Sequence, residues 1–175
     1  MSGKPFIIER YDVNKTYFQQ KSFDCGNKVI NKFVHASLKK QVRNGFSQAY
    51  VLLDQGNNER FSAFYTLASF KLLASDMAAI SANSFPRDIP CVRLIMLGVE
   101  RKLQGQGIGK KIISDALHRV YKASKEVGVF GVYLDADPNA INFYHSLGFV
   151  RLDSGGKKEI AKMFLSMNKI HALLS

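Results

Sequence analysis

The chain passes from an apolar run, Cys91 to Val99, into Gln104-Gly105-Gln106-Gly107-Ile108-Gly109-Lys110, and then into a long stretch of helical periodicity. Three glycines in five residues mark the turn between a strand and a helix. They leave main-chain N–H groups unshielded at the positive end of the helix dipole, a place that favours an anion. The helix is expected from about Gly107 to Val127, with Ile112, Ile113, Ala116, Leu117 and Val120 on one side.

Spacing excludes two anions. A dinucleotide fingerprint needs G-x-G-x-x-G at the first strand–helix turn and an acidic residue about 20 positions on. Here the glycines are 105, 107 and 109, the turn lies past residue 90, and Asp135 is too distant. A nucleotide-triphosphate loop needs G-x-x-x-x-G-K followed by Ser or Thr, and Lys111 follows Gly109-Lys110.

Elsewhere the sequence predicts a short strand at Phe6–Arg10 and one helix from Asp24 or Asn27, as caps, to about Arg43, burying Ile30, Phe33, Val34 and Leu38. Ala49–Leu53 and Phe61–Leu67 flank a Gly56-Asn57-Asn58 turn and read as a hairpin. Ser75–Pro90 reads as a loop with a helical turn. Gly128–Ala136 is a central strand, Asp137-Pro138 starts a helix that ends at Gly148, and Ala161–Met167 is a last strand. This order is an α/β or α+β single sheet with helices on its faces, in one domain over 1–175.

Lys and Arg number 25 against 14 Asp and Glu, a net +11 that points to a polyanionic partner such as nucleic acid, a phosphorylated substrate or an acidic protein. Two cysteines, Cys25 and Cys91, make no disulfide framework and are expected as reduced thiols. The four histidines, His35, His118, His145 and His171, are scattered, so no metal site is expected. With neither a signal-peptide apolar region nor an apolar run of about 18 residues, the expected location is the cytoplasm, with no membrane partner.

Gln104-x-x-Gly107-x-Gly109 resembles the pyrophosphate-binding motif Q/R-x-x-G-x-G/A of the GNAT acyltransferase superfamily. Asp137 to Phe149 resembles that superfamily's closing helix, N-x-x-A-x-x-F-Y-x-x-x-G-F, with Asp137 standing where the consensus has Asn. The resemblance implies the GNAT fold, a single mixed, mostly antiparallel sheet with helices on both faces, and acetyl-CoA as cosubstrate. It places the cofactor on Leu97, Gly98, Val99, the Gln104 to Lys110 loop, Asp137 and Asn139. Tyr144 becomes the acid that protonates the leaving thiolate; as a bare residue it reads equally as a core aromatic. Glu100 is assigned no base role.

Phe23-Asp24-Cys25-Gly26 and Ile30-Asn31-x-Phe33 resemble the opening F-D-C-G-x-x-x-L-N-x-F-L of GNAT toxins from bacterial toxin–antitoxin pairs, a likeness covering most of 23–167. It implies acetylation of the α-amino group of aminoacyl-tRNA, which blocks translation. The partners implied are a ribbon-helix-helix antitoxin, operator DNA through the antitoxin complex, and a second copy in a homodimer. Such toxins often carry Arg in the strand before the loop; the place here is Met96, with Arg93 nearby as the acceptor-side cation. On one uninterrupted helix at about 100° per residue, Lys28, Lys32, Lys39 and Arg43 fall within about 60°, a stripe able to follow tRNA phosphates. Two other readings stand: a GNAT N-acetyltransferase for a protein or small-molecule amine, and a binding module acting on operator DNA through an antitoxin.

Overall fold

A computed structural model of the chain describes residues 5–78 and 84–175. Its strands are β1 (Phe6–Arg10), β2 (Gln48–Asp54), β3 (Arg60–Leu73), β4 (Asp88–Val99), β5 (Gly131–Ala136), β6 (Val150–Arg151) and β7 (Ala161–Ser166). They form one mixed sheet in the order β1-β2-β3-β4-β5-β7-β6. The helices are α1 (Lys28–Ala36), α2 (Leu38–Arg43), α3 (Ala74–Met77), α4 (Ile108–Ala123), α5 (Ile141–Ser146) and α6 (Met167–Leu174). No helix among the described residues is long and apolar enough to cross a membrane. Packing divides the chain into two compact units, Met1–Ala68 with Met96–Ala116, and Ser69–Ile95 with Leu117–Ser175.

In the first unit β1, β2 and β3 run antiparallel, with Ile8 opposite Leu52 and Val51 opposite Phe64. All of β2 after Gln48 is buried, because both of its faces are covered. Ala49, Val51 and Leu53 join Val34 and Leu38 from α1 and α2 in one cluster. On the other face Tyr50 stacks on Tyr65, whose hydroxyl donates to Asp115 of α4. Phe23 is the hub of the first face, edge-on to Phe61 at 5.3 Å and to Phe64 at 5.7 Å.

In the second unit β5 pairs in parallel with β4, Val92 opposite Val132, and antiparallel with β7 over six residues. Leu72, Met77, Ile89, Cys91, Tyr133, Leu152 and Phe164 make its core. Ser166 caps α6 by accepting from the Lys169 N–H, and Ile170 anchors that helix, fully buried.

Several sequence expectations change. The helix predicted to Arg43 breaks at Ser37, where φ is −123° and ψ −27°. Val34 and Leu38, 1% and 0% exposed on either side of the break, hold both pieces to the core. The segment after Asp137 is a 3-10 turn, Pro138–Ala140, followed by six-residue α5 rather than one helix. β6 and α6 are additions: β6 is too short to show a period, and α6 continues an apolar run that reads as strand. Helix α4 stops at Ala123, and β5 starts at Gly131. Of the Ser75–Pro90 loop, Ala74–Met77 is the helical turn and Asp88 already belongs to β4, while 79–83 lie outside the described residues.

Phe23→Ala is expected to lower unfolding free energy by about 3–5 kcal/mol, the cost of an aromatic-sized cavity. Urea titration should show a lower midpoint at unchanged slope; a midpoint within error of the parent chain would refute Phe23 as the hub.

Candidate active site

The turn after β4 is built as an anion cradle. A 3-10 turn, Arg101–Leu103, leads to Gly105 and Gly107 at φ +79° and +80°, a left-handed backbone that favours glycine, and α4 starts at Ile108. A Cβ at either glycine would meet nothing within 4 Å. The first intrahelical bond runs from the Lys111 N–H to the Gly107 carbonyl, and the N–H groups of residues 105–110 donate to no acceptor among the described residues. Ile108, 6% exposed, anchors the turn to the core, and Gly109 and Lys110 complete the first helical turn. A row of open main-chain donors at a helix start fits a diphosphate.

The side chains of the motif shape this loop. Gln104 donates through Nε2 to the Cys25 carbonyl at 2.8 Å and the Val99 carbonyl at 2.9 Å. Gln106 donates to the Lys102 carbonyl at 3.2 Å. Before the loop, the Met96 N–H donates to the Thr66 hydroxyl at 3.1 Å. Leu97 is half-buried and Val99 buried. Gly98 does not open a ligand face: a Cβ would sit 3.1 Å from Ile30 and Phe64 and 3.3 Å from Phe23, so its small size serves the aromatic core.

The Phe23-Asp24-Cys25-Gly26 motif latches onto the same loop. The Asp24 N–H donates to the buried Glu100 carboxylate at 3.1 Å, and the Arg101 N–H donates to the Asp24 carbonyl at 2.8 Å. The Asp24 carboxylate accepts from the Gly26 N–H, the Asn31 amide and Arg101; the Gly26 N–H foremost holds it below the usual carboxylate range. Glu100, 6% exposed, also faces Arg60 at 3.8 Å, so its carboxylate is structural. No local pattern reveals this latch, because its partners lie 76 and 77 residues apart.

Tyr144 belongs to the second unit, on α5, 7% exposed and edge-on to Phe149 at 5.5 Å. Its hydroxyl bonds to no described residue. Burial pushes its pKa above the ordinary tyrosine value, which keeps it a proton donor. Asp137 accepts from the Asn139 N–H at 2.9 Å and caps the 3-10 turn before α5; both residues stay at the surface.

Of the acceptor-side residues, Lys28 and Lys32 lie on α1 and Lys39 and Arg43 on α2, so the single-helix phase that united them does not hold across Ser37. Arg93 donates to Asp135 at 2.8 Å and lies over the Phe70 ring, and Tyr133 donates to the other Asp135 oxygen. Met96 packs against the Phe23 cluster. Burial raises the Cys25 thiol and pushes Cys91 up to about 11, so neither is a ready thiolate. No metal-ligand cluster occurs among the described residues.

An acetyltransferase (GNAT) domain model matches residues 24–170. A tRNA-acetylating toxin of Mycobacterium tuberculosis is 27% identical over 115 residues, 66% of this chain and 68% of that one. A crystal structure of a bacterial toxin superposes with a TM-score of 0.91 at 40% identity, covering 97% of this chain and 94% of the other. The toxin AtaT superposes in two forms. Complexed with acetyl-methionyl-tRNAfMet it gives a TM-score of 0.83 at 28% identity over 97% and 99% of the chains. A mutant bound to the C-terminus of the antitoxin AtaR and acetyl-CoA gives 0.82 at 29% over 98% and 99%.

Gln104→Ala is expected to weaken binding of a diphosphate ligand, probed with coenzyme A, by about 5- to 100-fold, the worth of two hydrogen bonds. Titration calorimetry reads this directly, and parent-like affinity would mean that Gln104 does not shape the cradle.

Proposed function

The chain belongs to the GNAT acetyltransferase family, and we propose that, as a single catalytic domain, it transfers acetyl from acetyl-CoA to the α-amino group of an aminoacyl-tRNA. The reading is carried by the open N–H groups at the start of α4, which suit the diphosphate of a coenzyme A donor. The toxin relatives and the net charge of +11 support a tRNA acceptor. Such an acceptor is a toxin's target, since an acetylated α-amine cannot extend a peptide.

In this mechanism acetyl-CoA supplies the activated thioester. Residues 105–110 would hold its diphosphate through main-chain donors, and Leu97 and Val99, on the strand before the loop, would guide the pantetheine arm. An α-amine titrates at about 8, so a useful fraction attacks as the neutral base without a strong catalytic base. As the carbon–nitrogen bond forms and the carbon–sulfur bond breaks, Tyr144 gives its phenolic proton to the sulfur, and the proton released by the amine restores the phenol. The partners follow the same reading: a ribbon-helix-helix antitoxin that carries the complex to operator DNA, a second copy in a homodimer, and a cytoplasmic setting.

Incubation with labelled acetyl-CoA and mixed charged tRNA should place label on aminoacyl adenosines; label in protein or polyamine but never in tRNA would overturn the proposal. Tyr144→Phe should lower kcat by about 10²- to 10⁴-fold with unchanged acetyl-CoA affinity. Because burial raises the Tyr144 pKa, its proton is present below its ordinary value and lost only above it. The rate should therefore climb through about pH 8 as the amine deprotonates and show no tyrosine-dependent fall below about pH 10. A descending limb near neutrality that Tyr144→Phe abolishes would contradict the assignment.

A further inference from the structure

A groove of about 830 Å³ opens in the first unit between the Tyr11–Ser22 segment and the corner joining α1 to α2. Its rim carries Lys15, Lys21, Lys39, Lys40 and Arg43 with His35, and among the described residues no carboxylate lines it. Lys15 is paired, to Glu9 at 2.9 Å. Lys21, Lys39, Lys40 and Arg43 have no ion pair among the described residues. Several like charges around one hollow repel one another, and a multiply charged anion relieves that repulsion while releasing its own counterions.

The floor selects among polyanions. Tyr11 and Tyr17 stack at 4.8 Å but are only 3% and 5% exposed, and Val34 is 1% exposed. The Tyr11 hydroxyl donates to Gln20, and the Gln20 amide donates to the Val34 carbonyl, which closes the floor. An acidic peptide docking as an amphipathic helix needs an open apolar trough for its side chains. This groove has none; its remaining walls are hydroxyls and amides of Thr16, Gln19, Ser22 and Ser37. Charge without apolar surface suits a sugar–phosphate chain, whose contacts are phosphate oxygens and hydroxyls.

The geometry points to this groove as a seat for the sugar–phosphate backbone of an RNA strand. The inference rests on the tRNA reading above and moves the contact from one face of a long helix to Lys39, Lys40 and Arg43 on α2, completed by Lys15 and Lys21 from the loop after β1. The break at Ser37 is what turns the α2 cations toward that loop.

The test is binding of deacylated tRNA without acetyl-CoA, measured across a salt series for the parent chain and for Lys39→Gln/Lys40→Gln/Arg43→Gln. Lys157→Gln/Lys158→Gln, outside the groove, controls for net charge, and thermal melting confirms folding. The triple variant should bind tRNA at least about tenfold more weakly, with the slope of log affinity on log salt flattened by about 3 and the acetyl-CoA affinity unchanged. An unchanged slope and affinity would overturn the groove assignment. So would loss of antitoxin binding with tRNA binding intact, which would give the groove to an acidic peptide. A parent chain that binds tRNA through the groove yet never acetylates it would sink the catalytic reading alone.

Discussion

The join between Asp24 and the Glu100–Arg101 step fixes where the donor loop can stand. Two main-chain hydrogen-bond groups and one buried carboxylate tie the segment before α1 to the end of β4, 76 residues later. Gln104 adds its amide to carbonyls on both sides of that join, Cys25 in the segment before α1 and Val99 at the end of β4. The loop beyond is rich in glycine, and of residues 105–110 Ile108 is the one buried among the described residues, so the loop takes its position from this anchor. Preorganisation of this kind removes the ordering cost that a flexible loop would meet on binding.

The parts legible in the sequence are those where local geometry demands a residue type. Gly105 and Gly107 sit at positive φ, Asp137 and Pro138 open the turn before α5, and Gly148 follows it at φ +100°. The α4 stripe of Ile112, Ile113, Ala116, Leu117 and Val120 is buried as its spacing implies. What stayed hidden depends on distant partners. The period through residues 27–43 is continuous in the sequence, yet Ser37 leaves the helix, because the α1 and α2 halves each answer to the core beneath them. The role of Phe23-Asp24-Cys25-Gly26 was legible only as a family likeness; its contacts to Glu100, Arg101 and Gln104 are non-local.

Gly98 and Arg93 show how a residue's type can mislead about its task. A glycine beside a cofactor loop suggests room for a ligand, but here its missing Cβ is replaced by Ile30, Phe64 and Phe23. An arginine near the acceptor side suggests a phosphate contact, but the Arg93 guanidinium is held by Asp135, which Tyr133 braces in turn. Glu100 runs the other way: a strand-end acid that looks incidental is a buried keystone of the latch.

The donors of the cradle are peptide N–H groups, which every residue except proline carries. Single side-chain replacement at the exposed loop positions therefore leaves the recognising atoms in place, provided the left-handed turns at Gly105 and Gly107 survive. A chain of this kind has few one-step routes to lose its grip on the cosubstrate. Inactivating changes should accumulate instead in the latch and in Tyr144, and a diphosphate mimic aimed at the cradle would meet a target slow to drift.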